Sequence, residues 1–111
     1  MKIAFPTNNK KTINEKIGFS QYILIIDTDT NEKILIENPL FEEAKHLDKV
    51  RDCGENGLET GKILPPLLKK YNVKKFYGLK FGEGMLDNLE IYGITPVITD
   101  KKEIEANLWP F

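Results

Sequence analysis

The feature that most constrains this chain is "YILII", Tyr22–Ile26, its longest uninterrupted apolar run. The run is far too short to cross a bilayer, which needs about 20 apolar residues in a helix. It is rich in β-branched side chains and sits in "SQYILIIDTDT", so it predicts a central β-strand. The "DTNE" that follows supplies turn chemistry. "KILIENP" then alternates polar and apolar residues, with Ile34 and Ile36 on one face. Upstream, "KIAFP" is a short apolar run ended by Pro6 and reads as a buried first strand, joined to the central one by the polar loop "TNNKKTINEKIGF". The three strands predict an antiparallel meander.

The second half changes period. "GLETGKILPPLLKKYNV" carries a helical stripe of Leu58, Ile63, Leu64, Leu67, Leu68 and Tyr71, with Asn56 as a candidate cap. Pro65 and Pro66 fall inside that stripe, and proline removes a backbone donor and crowds the preceding turn, so a kink or a break near Leu64 is expected. "VKKFYGLKFGEG" reads as strand, glycine-rich turn and helix start. "GMLDNLEIYG" is a short helix ending at Gly93, a suitable left-handed cap. "ITPVITD" is a last strand that Pro96 assigns to an edge. "KKEIEANLW" is expected as a closing helix, with Asp100 as N-cap and Glu103 at capping-box spacing. Residues 39–55 show no clean period, and a loop that long in a small domain is a functional candidate. The resulting order, βββαβαβα, predicts one α/β domain over residues 1–111. Its five-stranded mixed sheet would run 3-2-1-4-5, because crossovers are right-handed.

Charge and cysteine usage narrow the function. Charged residues make up 30% of the 111 residues but nearly cancel, giving a net charge of −1, with 41% hydrophobic residues. The lysine pairs are short and interleaved with acids, so no nucleic-acid surface is expected. No membrane span and no signal segment is visible, and the single cysteine cannot form an intramolecular disulfide. These features predict a cytoplasmic protein. The abundance of Lys, Glu and Ile is of the kind found in thermophiles.

In an open α/β sheet of this order, ligands bind outside the carboxyl ends of the strands at the switch point between strands 1 and 4. Three stretches should meet there: "PTNN", "CGENG" and "LKFGEG". Their glycines permit close backbone approach, although glycines after strands are also ordinary turn residues. The same order brings in "HLDKVRDCGENG", which holds the only histidine, His46, and the only cysteine, Cys53, seven residues apart. Imidazole and thiolate are soft ligands for zinc or iron clusters. A closed zinc site needs about four ligands, and the chain supplies only two soft ones. Partial coordination of a preformed cluster, completed by small molecules or by a second subunit bringing its own Cys53, remains open beside the reading of both residues as unligated connector. A nuclease would need carboxylates on the central strands, but strand 1 ends in "AFPTNN", and Asp27 and Asp29 belong at the far end of strand 2. No G-x-S-x-G elbow and no P-loop is present.

"MKIAFPTNN", "IGFSQYILIIDTDTNEKILIENP" and "LLKKYNVKKFYGLKFGEGMLDNLEIYGITPVITD" together resemble the dinitrogenase iron–molybdenum cofactor biosynthesis family, which includes NifX-like proteins and the carboxyl-terminal domain of NifB-like proteins. The resemblance covers nearly the whole chain. It implies an RNase H-like fold, cofactor-assembly partners, and non-enzymatic binding or carriage of an iron–sulfur cluster or iron–molybdenum cofactor precursor. The family often carries His-Phe-Gly after the first loop; here Phe19 matches, with Gly18 in place of the histidine and Ser20 in place of the glycine. The expected site therefore comprises Cys53 and His46 as metal ligands, Gly54, Gly57, Gly82 and Gly84 as backbone donors, and Asn8 and Phe19 as wall, with no catalytic residue. The chain is expected as a monomer or homodimer. The alternative is an interaction or regulatory module of the same fold that has lost cofactor binding. An enzyme acting on a small phosphorylated substrate would rest on the glycine-rich turns alone.

Overall fold

A computed structural model describes residues 1–39 and 60–108. Five strands, β1 (Lys2–Thr7), β2 (Tyr22–Asp27), β3 (Lys33–Glu37), β4 (Val73–Gly78) and β5 (Thr95–Ile98), form one sheet in the order β3-β2-β1-β4-β5. β1, β2 and β3 pair antiparallel in sequence, while β4 is parallel to both β1 and β5. Two α-helices, α1 (Thr60–Lys70) and α2 (Glu83–Ile91), supply the crossovers. This is the mixed α/β sheet that the sequence predicts.

The sheet is covered on both faces by different means. On one face α1 and α2 bury Leu64, Leu68, Met85 and Leu89, joined by Ile94 just after α2, against Ala4, Ile23, Ile25 and Phe76. On the other, Ile3, Phe5, Leu24, Ile26 and Tyr77 are covered by Ile13 and Ile104, with Leu108 packed alongside. Alternation along β1 and β2 sends successive side chains to opposite faces, so a continuous apolar run such as "YILII" feeds both cores. Phe5 stacks on Tyr77 with ring centroids 4.8 Å apart.

The expected closing helix does not form. Residues 102–104 lie beside 11–13: the Ile13 amide donates to the Lys102 carbonyl (2.7 Å), the Ile104 amide to the Lys11 carbonyl (2.8 Å), and Thr12 bridges Glu103. Only Glu105–Asn107 makes a 3₁₀ turn. The Thr99 hydroxyl, not Asp100, caps the Lys101 amide at 3.1 Å. A short ladder that seats Ile104 on the second core has overridden the capping-box pattern.

The break at the prolines is also absent: α1 runs without interruption from Thr60 to Lys70 through Pro65 and Pro66. Their missing N–H groups deprive the Gly61 and Lys62 carbonyls of the usual i+4 donors. Buried Leu64 and Leu68 hold the helix against the sheet regardless. It ends at Asn72 in the left-handed region (φ 61°). α2 ends in a Schellman motif: Gly93 has φ 72°, its amide donates to the Glu90 carbonyl (3.0 Å), and the Ile94 amide donates to the Leu89 carbonyl (2.8 Å). As Pro96 suggests, β5 is an edge strand.

Candidate functional site

Register fixes which loops share an end of the sheet. Thr7 of β1 pairs with Tyr22 of β2, Tyr22 with Glu37 of β3, and Gly78 of β4 with Ile98 of β5. The carboxyl ends of β1, β3, β4 and β5 and the start of β2 therefore form one rim. α1 joins β4 through Tyr71 and Asn72 alone, so it runs antiparallel to β4 and rises about 16 Å toward the same rim. Pro39 and Thr60, the described residues that flank 40–59, both lie at this end. Asp27 and Asp29 lie at the opposite end, since Lys2 pairs with Asp27, so no carboxylate of β2 reaches the rim.

The rim is braced by buried polar groups. Thr7 is fully buried, and its hydroxyl donates to the Thr12 carbonyl (2.7 Å) and accepts from the Lys10 amide (3.0 Å). The Asn9 carboxamide oxygen accepts from the Lys11 and Thr12 amides, which lets Lys10 occupy the left-handed region (φ 69°). The Asn38 side chain, 4% exposed, donates to the Ile17 carbonyl (3.1 Å), the Ser20 carbonyl (2.9 Å) and the Ser20 hydroxyl (3.2 Å). It thereby clamps the 3₁₀ turn Ile17–Phe19 to the end of β3. The Ser20 hydroxyl itself donates to the Ile17 carbonyl at 2.8 Å.

Against this frame the expected site residues separate into groups. Asn8 is exposed, and its side-chain oxygen accepts from the Gln21 amide at 2.6 Å, tying the loop after β1 to the start of β2. Phe19 is half-buried in the adjacent turn, with the Lys16 ammonium 5.3 Å from its ring centroid. Gly82 and Gly84 sit at the start of α2, where a Cβ on either would meet open space and neither has positive φ. Their backbone would accept other residues, and Glu83 between them places a carboxylate in the first helical turn. That carboxylate competes with any anion drawn to the helix start. His46, Cys53, Gly54 and Gly57 lie outside the described residues.

One groove of about 630 Å³ opens on the rim, lined by Glu15, Leu79, Lys80, Ile98, Thr99, Asp100 and Lys102. It lies over the ends of β4 and β5, one strand from the β1/β4 switch point. None of the expected ligand, donor or wall residues lines it, although Leu79 and Lys80 come from the "LKFGEG" stretch that the sequence assigns to the switch point. Glu15 and Lys102 look like ordinary solvated charges in the sequence, and Asp100 looks like a helix cap; the one hint is Ile98, an apolar residue 66% exposed on an edge strand. The Lys80 ammonium lies 3.7 Å from the Glu15 carboxylate, with both side chains about two-thirds exposed, so the pair contributes little. Two lysines and two acids leave the groove without a dominant charge.

Among the described residues no group of three or more His, Cys, Asp or Glu side chains is placed to hold a metal ion. No described helix is long and apolar enough to cross a membrane. The described rim thus supplies amides, backbone groups and solvated charges but no soft donor.

Three solved structures share the fold. The apo orange protein from Desulfovibrio gigas aligns with a TM-score of 0.66 at 13% identity, over 96% of this chain and 82% of its own. A NifB candidate protein from Thermotoga aligns with a TM-score of 0.64 at 14% identity, over 94% and 80%. The protein PH0822 aligns with a TM-score of 0.63 at 19% identity, over 88% and 78%. No curated protein sequence matches the chain. The sequence model of the family described as dinitrogenase iron–molybdenum cofactor matches residues 1–109, and the chain belongs to that family.

Proposed function

We propose that this protein is a non-enzymatic carrier that holds or delivers a metal–sulfur cargo, an iron–sulfur cluster or an iron–molybdenum cofactor precursor, at the carboxyl rim of the sheet. The observation that carries this reading is topological. The loop after β1, the turn bearing Phe19, the start of α2 and both flanks of the segment holding the only histidine and cysteine converge on one end. Cys53 and His46 are the soft donors, and they act as partial ligands to a cargo whose remaining positions are filled by small molecules or by the delivery partner. Gly54, Gly57, Gly82 and Gly84 offer backbone N–H groups, with Asn8 and Phe19 as wall. The buried hydroxyls of Thr7 and Ser20 are committed to carbonyls of their own loop, which favours a holder over a catalyst. Cofactor-assembly proteins in the cytoplasm are the expected partners.

Anaerobic reconstitution with ferrous iron and sulfide tests this. A charge-transfer absorption that survives gel filtration and is lost in Cys53→Ala is the expected result. A colourless protein under those conditions would remove the carrier reading. The second reading, an interaction module of the same fold that has shed its cargo, is favoured by Gly18, which gives the turn clamped by Asn38 no imidazole. It predicts capture of a partner by the full chain that fails when residues 108–111 are removed, with no absorption in either form.

A further inference from the structure

We infer that β3 is a self-pairing edge through which two copies of this chain join into one continuous sheet. Among the described residues β3 is the outermost strand on its side. Which of its backbone groups face outward follows from the hairpin. The Asp27 amide donates to the Glu32 carbonyl (2.9 Å) and the Asn38 amide to the Gln21 carbonyl (3.0 Å). In the observed register, Tyr22 opposite Glu37 and Leu24 opposite Leu35, hydrogen-bonded pairs alternate with non-bonded ones. The bonded pairs are therefore Gln21/Asn38, Ile23/Ile36, Ile25/Ile34 and Asp27/Glu32. Lys33, Leu35 and Glu37 consequently turn their N–H and C=O groups away from β2, toward the open edge.

That edge is complementary to itself. "KILIE" paired antiparallel with its own copy about Leu35 sets Lys33 opposite the copy's Glu37 and Ile34 opposite its Ile36. Each outward-facing residue then exchanges both backbone bonds with its counterpart. Both charge pairs attract, and Ile34, 38% exposed in the single chain, gains an apolar neighbour across the seam. A parallel, in-register pairing would set lysine on lysine and glutamate on glutamate. The opposite edge differs: β5 carries Pro96, which lacks a donor, whereas β3 carries neither a proline nor a glycine. Antiparallel joining points the two rims in opposite directions, so each copy keeps its own rim and the two do not share a cargo.

A seam this short belongs to the weak, concentration-dependent class of interfaces. Sedimentation velocity from about 10 µM to about 1 mM is expected to show a monomer–dimer equilibrium in the micromolar range or weaker. Lys33→Glu and Glu37→Lys each place like charges across the seam twice by symmetry and are expected to weaken association about tenfold. The double variant K33E/E37K restores attraction and is expected to regain it. Lys33 and Glu37 are both exposed, so circular dichroism should report an unchanged fold in every variant. A chain that stays monomeric throughout, a dimer indifferent to the single reversals, or a double variant that fails to recover would each overturn the proposal.

Discussion

Asn38 bonds three acceptors from a single buried amide nitrogen, and all of them belong to the turn that carries Phe19. Replacing it with alanine takes the Asn38 donor from the Ser20 carbonyl, while the Ile17 carbonyl keeps the Ser20 amide and hydroxyl; leaving that buried acceptor unmatched costs about 1–3 kcal/mol. Urea denaturation of Asn38→Ala is expected to show that loss. Its role is not visible in the sequence, where Asn38 is one more polar residue before a proline; only the fold brings Ile17 and Ser20 to it. Glycines divide the same way. Gly93 is legible as a cap from the sequence and occupies positive φ, so Gly93→Ala should destabilise by about 1 kcal/mol. Gly84 is a site candidate by sequence, yet its backbone is ordinary helix with open space at the Cβ position. Gly84→Ala should raise stability by about 0.5 kcal/mol. Under the carrier proposal the same methyl group stands where cargo approaches the backbone, so Gly84→Ala should gain thermal stability while retaining less iron. Equal iron retention would remove Gly84 from the site.

At the scale of elements, strands were the most legible feature, because stretches of four to six residues rich in β-branched and aromatic side chains and bounded by Pro, Asn, Asp and Gly admit few other readings. α2 was legible for the same reason, with its glycine stop. Local rules failed where a tertiary partner won. The segment after β5 carries a good helix-start pattern, but it is the only described chain besides the 11–13 loop available to cover Ile3, Phe5 and Tyr77. Pairing 102–104 with 11–13 seats Ile104, 2% exposed, on that face. Ile104→Ala should therefore cost about 2–5 kcal/mol, the range for emptying a core position. An exposed helix residue would lose a few tenths at most. Thermal denaturation followed by circular dichroism separates the two, and a loss below about 0.5 kcal/mol would mean that the second core does not depend on this segment.

Over the whole molecule, strand order followed from element order and crossover handedness, and that placed the rim correctly. The groove over β4 and β5 was not legible, since its walls come from residues 15, 79–80 and 98–102, which meet only once Thr99 is hydrogen-bonded to Gly78 at 3.0 Å. The second core also sets how the molecule responds to alkali. Tyr77 is 8% exposed beneath Ile104 and Leu108, and burial pushes its phenol above the ordinary value of about 10. The unfolded chain then ionises Tyr77 at lower pH than the folded chain does. The contribution of the neutral phenol is complete below pH 10 or so and is lost as pH rises through the folded-state pKa. Tyr77→Phe keeps the ring stacked on Phe5 and removes the titration. The midpoint difference, wild type minus Tyr77→Phe, should hold steady between about pH 7 and 9 and fall toward pH 11. The other tyrosines are common to both proteins and cancel in that difference. A flat difference to pH 11 would mean that Tyr77 ionises alike in both states, and so that the carboxyl-terminal segment does not exclude water from the second core.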